Sequence, residues 1–219
     1  MQTRVFILGA AALFLMSAVS ACDGGLFGTR GSGHVITETL AVGGFREIAL
    51  FGSGLVRVDV NGTESLIVEA KDTIMPLLTT EVRDGRLELS VESRISPTSD
   101  ITCTVSADSL DGVTITGSGD VTATGIAADS FDVEISGSGR VEPTGTTNTL
   151  IVESSGSGHY LGENLAASVG AVEVSGSGEA VVNVTNNLAV DVSGSGEVQY
   201  IENPALTESK SGLGSITRK

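Results

Sequence analysis

The sequence predicts an all-β solenoid, a fold in which short coils of β-strand stack on one another. A Ser-Gly-Ser-Gly tetrapeptide or a close variant recurs along the chain at 51–54, 116–119, 136–139, 155–158, 175–178, 193–196 and, in degenerate form, 211–214. From the second copy onward, the first glycines of successive copies lie 20, 19, 20, 18 and 18 residues apart. A fixed period of this size is typical of stacked coils, in which each repeat buries its apolar face only against its neighbours.

Composition supports the same fold class. The 219 residues include 29 glycines, six phenylalanines, two tyrosines and no tryptophan, whereas an average protein has about 7% glycine. Abundant valine, isoleucine and threonine between glycine-rich turns favour strands over helices and predict an aliphatic core. Proline is scarce and the β-branched pattern is regular, which argues against disorder.

The formal net charge of −15 excludes some partners. Nucleic acids and anionic lipid head groups are bound by clusters of Lys and Arg, so we expect neither to bind this chain. The charge is compatible with cations or a basic partner, although solubility alone also accounts for it.

The first 21 residues have the form of a signal peptide. A positive start at Arg4 precedes an apolar run, 5–20, that is shorter than the roughly 20 residues of a membrane-spanning helix. Residues 19–22, Val-Ser-Ala-Cys, resemble the bacterial lipobox, in which the cysteine is lipidated and becomes the new N-terminus. The alternative is an ordinary secretory signal with an incidental cysteine.

We therefore predict a lipoprotein signal peptide at 1–21, lipid attachment at Cys22, a flexible tether at 22–33 and one β-helical domain at 34–219. Several acyl chains on one cysteine anchor a protein stably without a transmembrane helix. The predicted location is the cell envelope, at the inner or outer membrane facing the periplasm or at the cell surface. Asp23 resembles the signal that retains lipoproteins in the inner membrane of enteric bacteria.

The segment before the regular repeats also reads as strands. Alternating residues predict strands at 45–50, 55–60, 65–70 and 86–91, with the Asn61-Gly62 pair as a tight turn. The stretch 71–78 contains Pro76 and is predicted to form at most one helical turn. Residues 80–91 read as a hairpin around Asp84-Gly85. In 101–105, alternation places Cys103 on the buried face with Ile101 and Val105, as a structural thiol rather than a nucleophile.

This segment, followed by Gly-Ser-Gly repeats, resembles the GIN domain, the head domain of auto-transporter adhesins and a domain of unknown function. The resemblance covers nearly all of the mature chain and implies a right-handed parallel β-helix with coils of about 18–20 residues. It implies no particular activity. It is carried by Phe45, Ile48, Gly52-Ser53-Gly54, Val56, Val58, Gly62, Val68, Asp84-Gly85, Leu87 and Leu89.

Within each repeat, alternation separates inward from outward residues. The residues two after each corner are nearly all apolar and predict an inward ladder: Val56, Val121, Val141, Tyr160, Ala180, Val198 and Ile216. A period near nineteen leaves room for a third short strand and a looser corner, such as Pro143-Thr144-Gly145 or Asn186-Asn187. The corner glycines are predicted to be structural, because glycine enters positive φ at little cost and lets stacked backbones approach. They are Gly52, Gly54, Gly117, Gly119, Gly137, Gly139, Gly156, Gly158, Gly176, Gly178, Gly194 and Gly196.

Candidate functional residues are few. Four residues near the corners form a weak candidate for surface contact: His159, Tyr160, Glu179 and Glu197. Glu179 and Glu197 are expected to lie one coil apart, a separation that invites comparison with glycosidase acid pairs. No base recurs beside the corner serines and no Cys/His spacing suits a metal, so we predict no catalytic residue, no metal site and no cofactor.

The function predicted from the sequence is a lipid-anchored cell-envelope protein, an adhesin-like or polymer-binding module without catalytic activity. Its expected partners are the membrane, through the lipid on Cys22, and an envelope polysaccharide or another envelope protein. Two alternatives remain: a polysaccharide-active β-helix enzyme, and an accessory subunit that docks by strand pairing at an open coil end.

Overall fold

A computed structural model describes residues 31–91 and 101–219 of the chain. Strands account for 74% of these residues and stack as parallel coils into a β-solenoid of about five turns, so the predicted fold class is confirmed. No helix among the described residues is long and apolar enough to cross a membrane. The predicted signal peptide, Cys22, most of the predicted tether and residues 92–100 lie outside the described residues.

Fifteen strands and one 3₁₀ turn make up the described chain. The four longest strands, of 16 to 18 residues, each run around most of one coil. In order, the elements are β1 (Val35–Leu40), β2 (Glu47–Gly52), β3 (Leu55–Val60), β4 (Ser65–Lys71), a 3₁₀ turn (Met75–Leu77), β5 (Leu78–Arg83), β6 (Arg86–Val91), β7 (Thr102–Ala107), β8 (Gly112–Gly117), β9 (Asp120–Gly137), β10 (Arg140–Gly156), β11 (His159–Gly176), β12 (Glu179–Gly194), β13 (Glu197–Tyr200), β14 (Ala205–Gly212) and β15 (Ser215–Arg218).

Successive coils pair in parallel and in register. Strands β9, β10, β11 and β12 follow one another in the sheet, β13 and β14 both pair with β12, and β15 pairs with β13. The register shifts between Pro143 and Gly145, where Gly145 has a φ of +141°. Between β11 and β12 it shifts again just before Asn187. The two irregularities lie at different places in the coil, since Gly145 is the Cα partner of Leu165 whereas Asn187 is the partner of Val169. Each of the two predicted candidates for the looser corner therefore coincides with a register shift of its own.

At each Gly-Ser-Gly corner, glycine is required at the two positions for different physical reasons. The first glycine of each corner lies in the left-handed region, with φ between +114° and +137°. A Cβ on the second glycine at Gly139 would lie 2.6 Å from both the Gly119 carbonyl oxygen and an Ile115 side-chain carbon. The serine between them, Ser138, donates its backbone N–H to the Gly117 carbonyl of the preceding corner over 2.8 Å.

The predicted inward ladder forms the centre of the core. Its members are Cα partners from coil to coil, from Val56 to Ile216. The four ladder residues after Val121 are fully buried, namely Val141, Tyr160, Ala180 and Val198, whereas Ile216 in the last coil is half-buried. Because each coil adds one layer of aliphatic side chains, the core extends along the whole solenoid.

The N-terminal end is closed by antiparallel strands, which the sequence did not predict. β4 pairs with β7 and β1 pairs with β4, both antiparallel, while β7 lies parallel to β3. The strands flanking Asn61-Gly62 are therefore not direct neighbours, because β7 lies between them. Two other predictions for this segment are confirmed: β5 and β6 form a hairpin around Asp84-Gly85, and Pro76 lies in a single 3₁₀ turn.

Cys103 is a free, buried thiol, as predicted. Its side chain is 6% exposed and packs in the core that also contains Ile101 and Val105. Burial disfavours the thiolate and raises the pKa of Cys103 from 9.0 to about 11.

Replacing a first corner glycine should destabilise the fold strongly. A Cβ at Gly137 would lie 2.3 Å from the Gly117 carbonyl oxygen, on a backbone with a φ of +133°. Gly137→Ala should lower the free energy of unfolding by roughly 3 kcal/mol or more, since strain and a backbone clash add. The matched control Ser138→Ala, at an exposed neighbour, should stay within about 0.5 kcal/mol. Equal effects in urea unfolding would contradict this account of the corner.

The buried thiol should make stability depend on pH in the alkaline range. Because the folded pKa of Cys103 is raised, its contribution is complete below pH 9.0 and is lost as pH rises towards about 11. Between these values the native chain should lose roughly 2 kcal/mol more than Cys103→Ala, which has no thiol to ionise. The measurement is the free energy of unfolding of both chains at several pH values. Parallel curves would show that the thiol ionises freely in the folded state.

Candidate functional site

One side of the solenoid presents a flat array of outward side chains, which we call the carboxylate face. It is formed by the last part of each coil, 131–137 in β9 and the matching segments 150–156, 170–176, 188–194 and 206–212. Alternate residues in these segments point into the core, and the residues between them point outward. Since the coils are in register, outward residues of equal position stack in columns.

Four acidic residues form one of these columns. Glu134, Glu153, Glu173 and Asp191 are Cα partners from coil to coil, and all four are exposed. Neighbouring strands lie about 4.8 Å apart, and like charges directly opposite each other are destabilising. Within the described part of the chain, no Lys, Arg or His forms an ion pair with any of the four. The fold itself therefore gives no reason for this column.

Hydroxyl groups form the adjacent column. The Ser136 and Ser155 hydroxyls lie 3.1 Å apart and share a hydrogen bond. The column is continuous in register over six coils: Thr116, Ser136, Ser155, Ser175, Ser193 and Ser211. A hydroxyl can donate and accept, whereas an ionised carboxylate only accepts. The two columns together offer complementary hydrogen-bonding groups over four consecutive coils.

A shallow depression lies where the two columns run side by side. It is lined by Glu134, Glu153, Ser154, Ser155, Glu173 and Ser175. Ser154 contributes its backbone, because its hydroxyl points inward under the next corner, beside the position that a Cβ on Gly178 would take. That hydroxyl is buried and has no hydrogen-bond partner among the described residues. The exposed chemistry of the depression therefore comes from carboxylates and the outward serines.

The residues that follow the corners form a column on the neighbouring side of the solenoid. Glu179 and Glu197 are Cα partners in adjacent coils, as predicted. The Nδ1 atom of His159 lies 3.4 Å from an Oε atom of Glu179, and Arg140 reaches Glu142 at 3.6 Å. This column mixes both signs of charge, so it does not repeat one chemistry along the solenoid.

Tyr160 is not part of any surface, so its inclusion among the candidate contact residues is wrong. Its side chain is fully buried on the inward ladder between Val141 and Ala180. Burial raises the pKa of its phenol, and the hydroxyl has no hydrogen-bond partner among the described residues. The aromatic ring fills a coil in which Gly162 leaves room beside it, since a Cβ there would lie 2.4 Å from the ring.

The carboxylate column is the feature that the sequence reading missed. Its signal is present, since a Val-acid-x-Ser pattern precedes the glycine in four consecutive repeats, at 133–136, 152–155, 172–175 and 190–193. The residues on both sides of each acid are aliphatic except Ser154, and strict alternation then places the acid outward. The described residues contain no group of three or more His, Cys, Asp or Glu arranged to hold a metal ion.

Comparison with known proteins agrees with this architecture. A family model described as "putative auto-transporter adhesin, head GIN domain" matches residues 44–204. The chain belongs to this family. The resemblance that Phe45 and the repeated corners carry is thereby confirmed. No curated protein matches the sequence.

Several solved structures share the fold of this GIN domain protein. A putative adhesin from Bacteroides fragilis is 24% identical, with a TM-score of 0.70 over 88% of this chain and 100% of that one. A putative lipid-binding protein from Parabacteroides distasonis is 21% identical, with a TM-score of 0.58 over 87% and 99%. A putative adhesin from Parabacteroides merdae is 14% identical, with a TM-score of 0.54 over 87% and 98%. At these identities the likeness concerns the fold.

Proposed function

We propose that this GIN domain protein is a lipid-anchored, non-catalytic adhesin-like module that binds an envelope polysaccharide along its carboxylate face. The observation that carries the proposal is the pair of stacked columns, one of carboxylates and one of hydroxyls. The membership of the family supports an adhesin-like protein of the cell envelope or surface. The lipid anchor is supported by the lipobox-like residues that end at Cys22.

The geometry of the face suits a linear polymer. Carboxylates accept hydrogen bonds from sugar hydroxyls, and the serines can both donate and accept. The same pair of groups recurs in four consecutive coils, about every 4.8 Å along the solenoid axis. A polymer lying along this axis would make many weak, equivalent contacts, and such contacts add up to useful avidity.

The negative charge of the chain limits the classes of polysaccharide that the carboxylate face can bind. Glu134, Glu153, Glu173 and Asp191 lie together without a compensating cation among the described residues. The whole chain also carries a formal charge of −15. Acidic polysaccharides would be repelled by such a face, whereas neutral or amino-bearing polysaccharides would not. We therefore expect binding of the latter two classes.

The column also has an energetic cost that the proposed ligand would offset. Stacked like charges destabilise neighbouring strands, and no bonding partner in the described fold relieves this repulsion. Functional sites commonly retain such locally unfavourable arrangements. Sugar hydroxyls or ammonium groups at the face would supply the missing partners.

Removing two charges from the column should weaken binding without unfolding the chain. We expect Glu153→Gln with Glu173→Gln to lower affinity roughly tenfold or more, because charge-assisted hydrogen bonds to the polymer are lost. The matched control is Glu179→Gln with Glu197→Gln, which removes the same charge from the neighbouring side. Binding of the full chain in detergent is measured on arrays of neutral, amino-bearing and acidic glycans.

Two results would contradict the proposal. One is an unchanged affinity of the Glu153/Glu173 variant together with lost binding in the control, which would assign binding to the column that contains His159. The other is release of sugar ends by the purified chain that stops on Glu179→Gln or Glu197→Gln. This second result would establish the alternative function, a polysaccharide-active enzyme.

The lipid anchor is tested separately. Cys22→Ser removes the acceptor thiol, so the chain should pass from the membrane fraction to the soluble fraction of the producing cells. Fractionation followed by immunodetection measures this shift, and Cys103→Ser serves as the control because that thiol is buried. Cys22→Ser protein that still carries a lipid, detected by mass spectrometry, would overturn the assignment.

A further inference from the structure

The last coil leaves one edge of the solenoid without a strand partner in the described chain. Among the described strands, β14 pairs only with β12, and β15 pairs only with β13. In a parallel ladder, alternate residues of such an edge strand direct their N–H and C=O groups away from the sheet. At the opposite end, β1, β4 and β5 add antiparallel strands to the first coils.

The inward positions of β14 carry opposite charges. Glu208 and Lys210 are the Cα partners of Val190 and Val192, which are buried in the coil above. Both charged residues are exposed, since no described strand pairs with the outer edge of β14. Inward-pointing charges on an edge strand block indiscriminate pairing. A strand can add here only if it brings the opposite charge to each of these two positions.

A second copy of the same strand meets this requirement. When two β14 strands pair antiparallel about a two-fold axis at Ser209, Glu208 of each copy lies opposite Lys210 of the other. We propose that the chain self-associates end to end through this pairing of the last coils. The contact is isologous, so it closes as a dimer and does not propagate into a filament.

The charges also select this register against its neighbours. A shift of one residue would place inward side chains opposite outward ones, which disrupts both faces of the sheet. A shift of two residues in one direction brings Glu208 opposite itself, and in the other direction brings Lys210 opposite itself. Only the register centred on Ser209 pairs both charges with their opposites.

An exposed leucine beside the edge supports the same arrangement. Leu213 stands at the last corner where all the preceding corners have serine, and its side chain is 90% exposed. It directly follows Gly212, the last residue of β14, so it stands at the end of the proposed strand pair, where β14 of the second copy begins. The apolar substitution at this one corner is thus next to the surface that the second copy would cover.

Cysteine cross-linking tests the two-fold axis directly. Residues that face each other in an antiparallel pair have Cα atoms about 4.5–5.5 Å apart, within the range of a disulfide. Ser209→Cys in the full chain should form a covalent dimer on oxidation, in membranes and in detergent. Thr207→Cys lies opposite Ser211 and should form little dimer alone, whereas Thr207→Cys with Ser211→Cys should form it efficiently.

Charge exchange tests the complementarity. Lys210→Glu or Glu208→Lys places like charges opposite each other at two points, and should weaken dimerisation roughly tenfold in sedimentation experiments. The double exchange, Glu208→Lys with Lys210→Glu, restores both ion pairs and should restore the dimer. Circular dichroism checks that each variant remains folded.

Three outcomes would overturn the inference. A full chain that sediments as a monomer at high concentration excludes self-association. Ser209→Cys that cross-links to a different protein and not to itself identifies another occupant of the edge. A double exchange that fails to restore the dimer excludes the register centred on Ser209. None of these outcomes depends on whether the carboxylate face binds a polysaccharide.

Discussion

The close approach of stacked glycines at the corners is the constraint on which the rest of the structure depends. A Cβ on the first glycine of each regular corner would lie only 2.3–2.5 Å from the carbonyl oxygen of the first glycine one coil earlier. Glycine is required there twice over, since the same residues have positive φ. The contact leaves no freedom for a coil to slide on its neighbour. The register of every column, inside and outside, follows from it.

Fixed register has opposite consequences for the two surfaces of each coil. Inside, it stacks aliphatic residues such as Val121 and Val141 into a continuous core, which stabilises the fold. Outside, it brings Glu134, Glu153 and Glu173 into one column, where their charges repel. A single constraint therefore creates both the continuous core and the column of repelling charges. That column is the reason to place function on the carboxylate face rather than on the corners.

The features that the sequence predicts are those that local repetition determines. Corners, inward ladder and coil length recur within twenty residues, so alternation and glycine spacing identify them. The antiparallel cap depends on β4 meeting β7, a pairing that spans the undescribed segment 92–100 and has no repeated pattern to reveal it. Tyr160 shows a different limit, because its phenol suggests a surface contact while its position in the ladder requires burial. Its position in the ladder determines that it is buried, because successive residues of a strand point to opposite faces whatever their side chains are.

The last described coil differs from the preceding coils in its inward residues and not in its corner. The last corner still has glycine at 212 with a φ of +115°, so its backbone could accept another coil. What changes is the interior, where Glu208 and Lys210 replace the valines found one coil earlier. A further coil of the same kind would have to bury both charges against aliphatic side chains, at a cost that packing cannot offset unless each charge is paired. The interior sequence therefore opposes the addition of a further coil of the same kind, and it places two opposite charges side by side along the outer edge of β14.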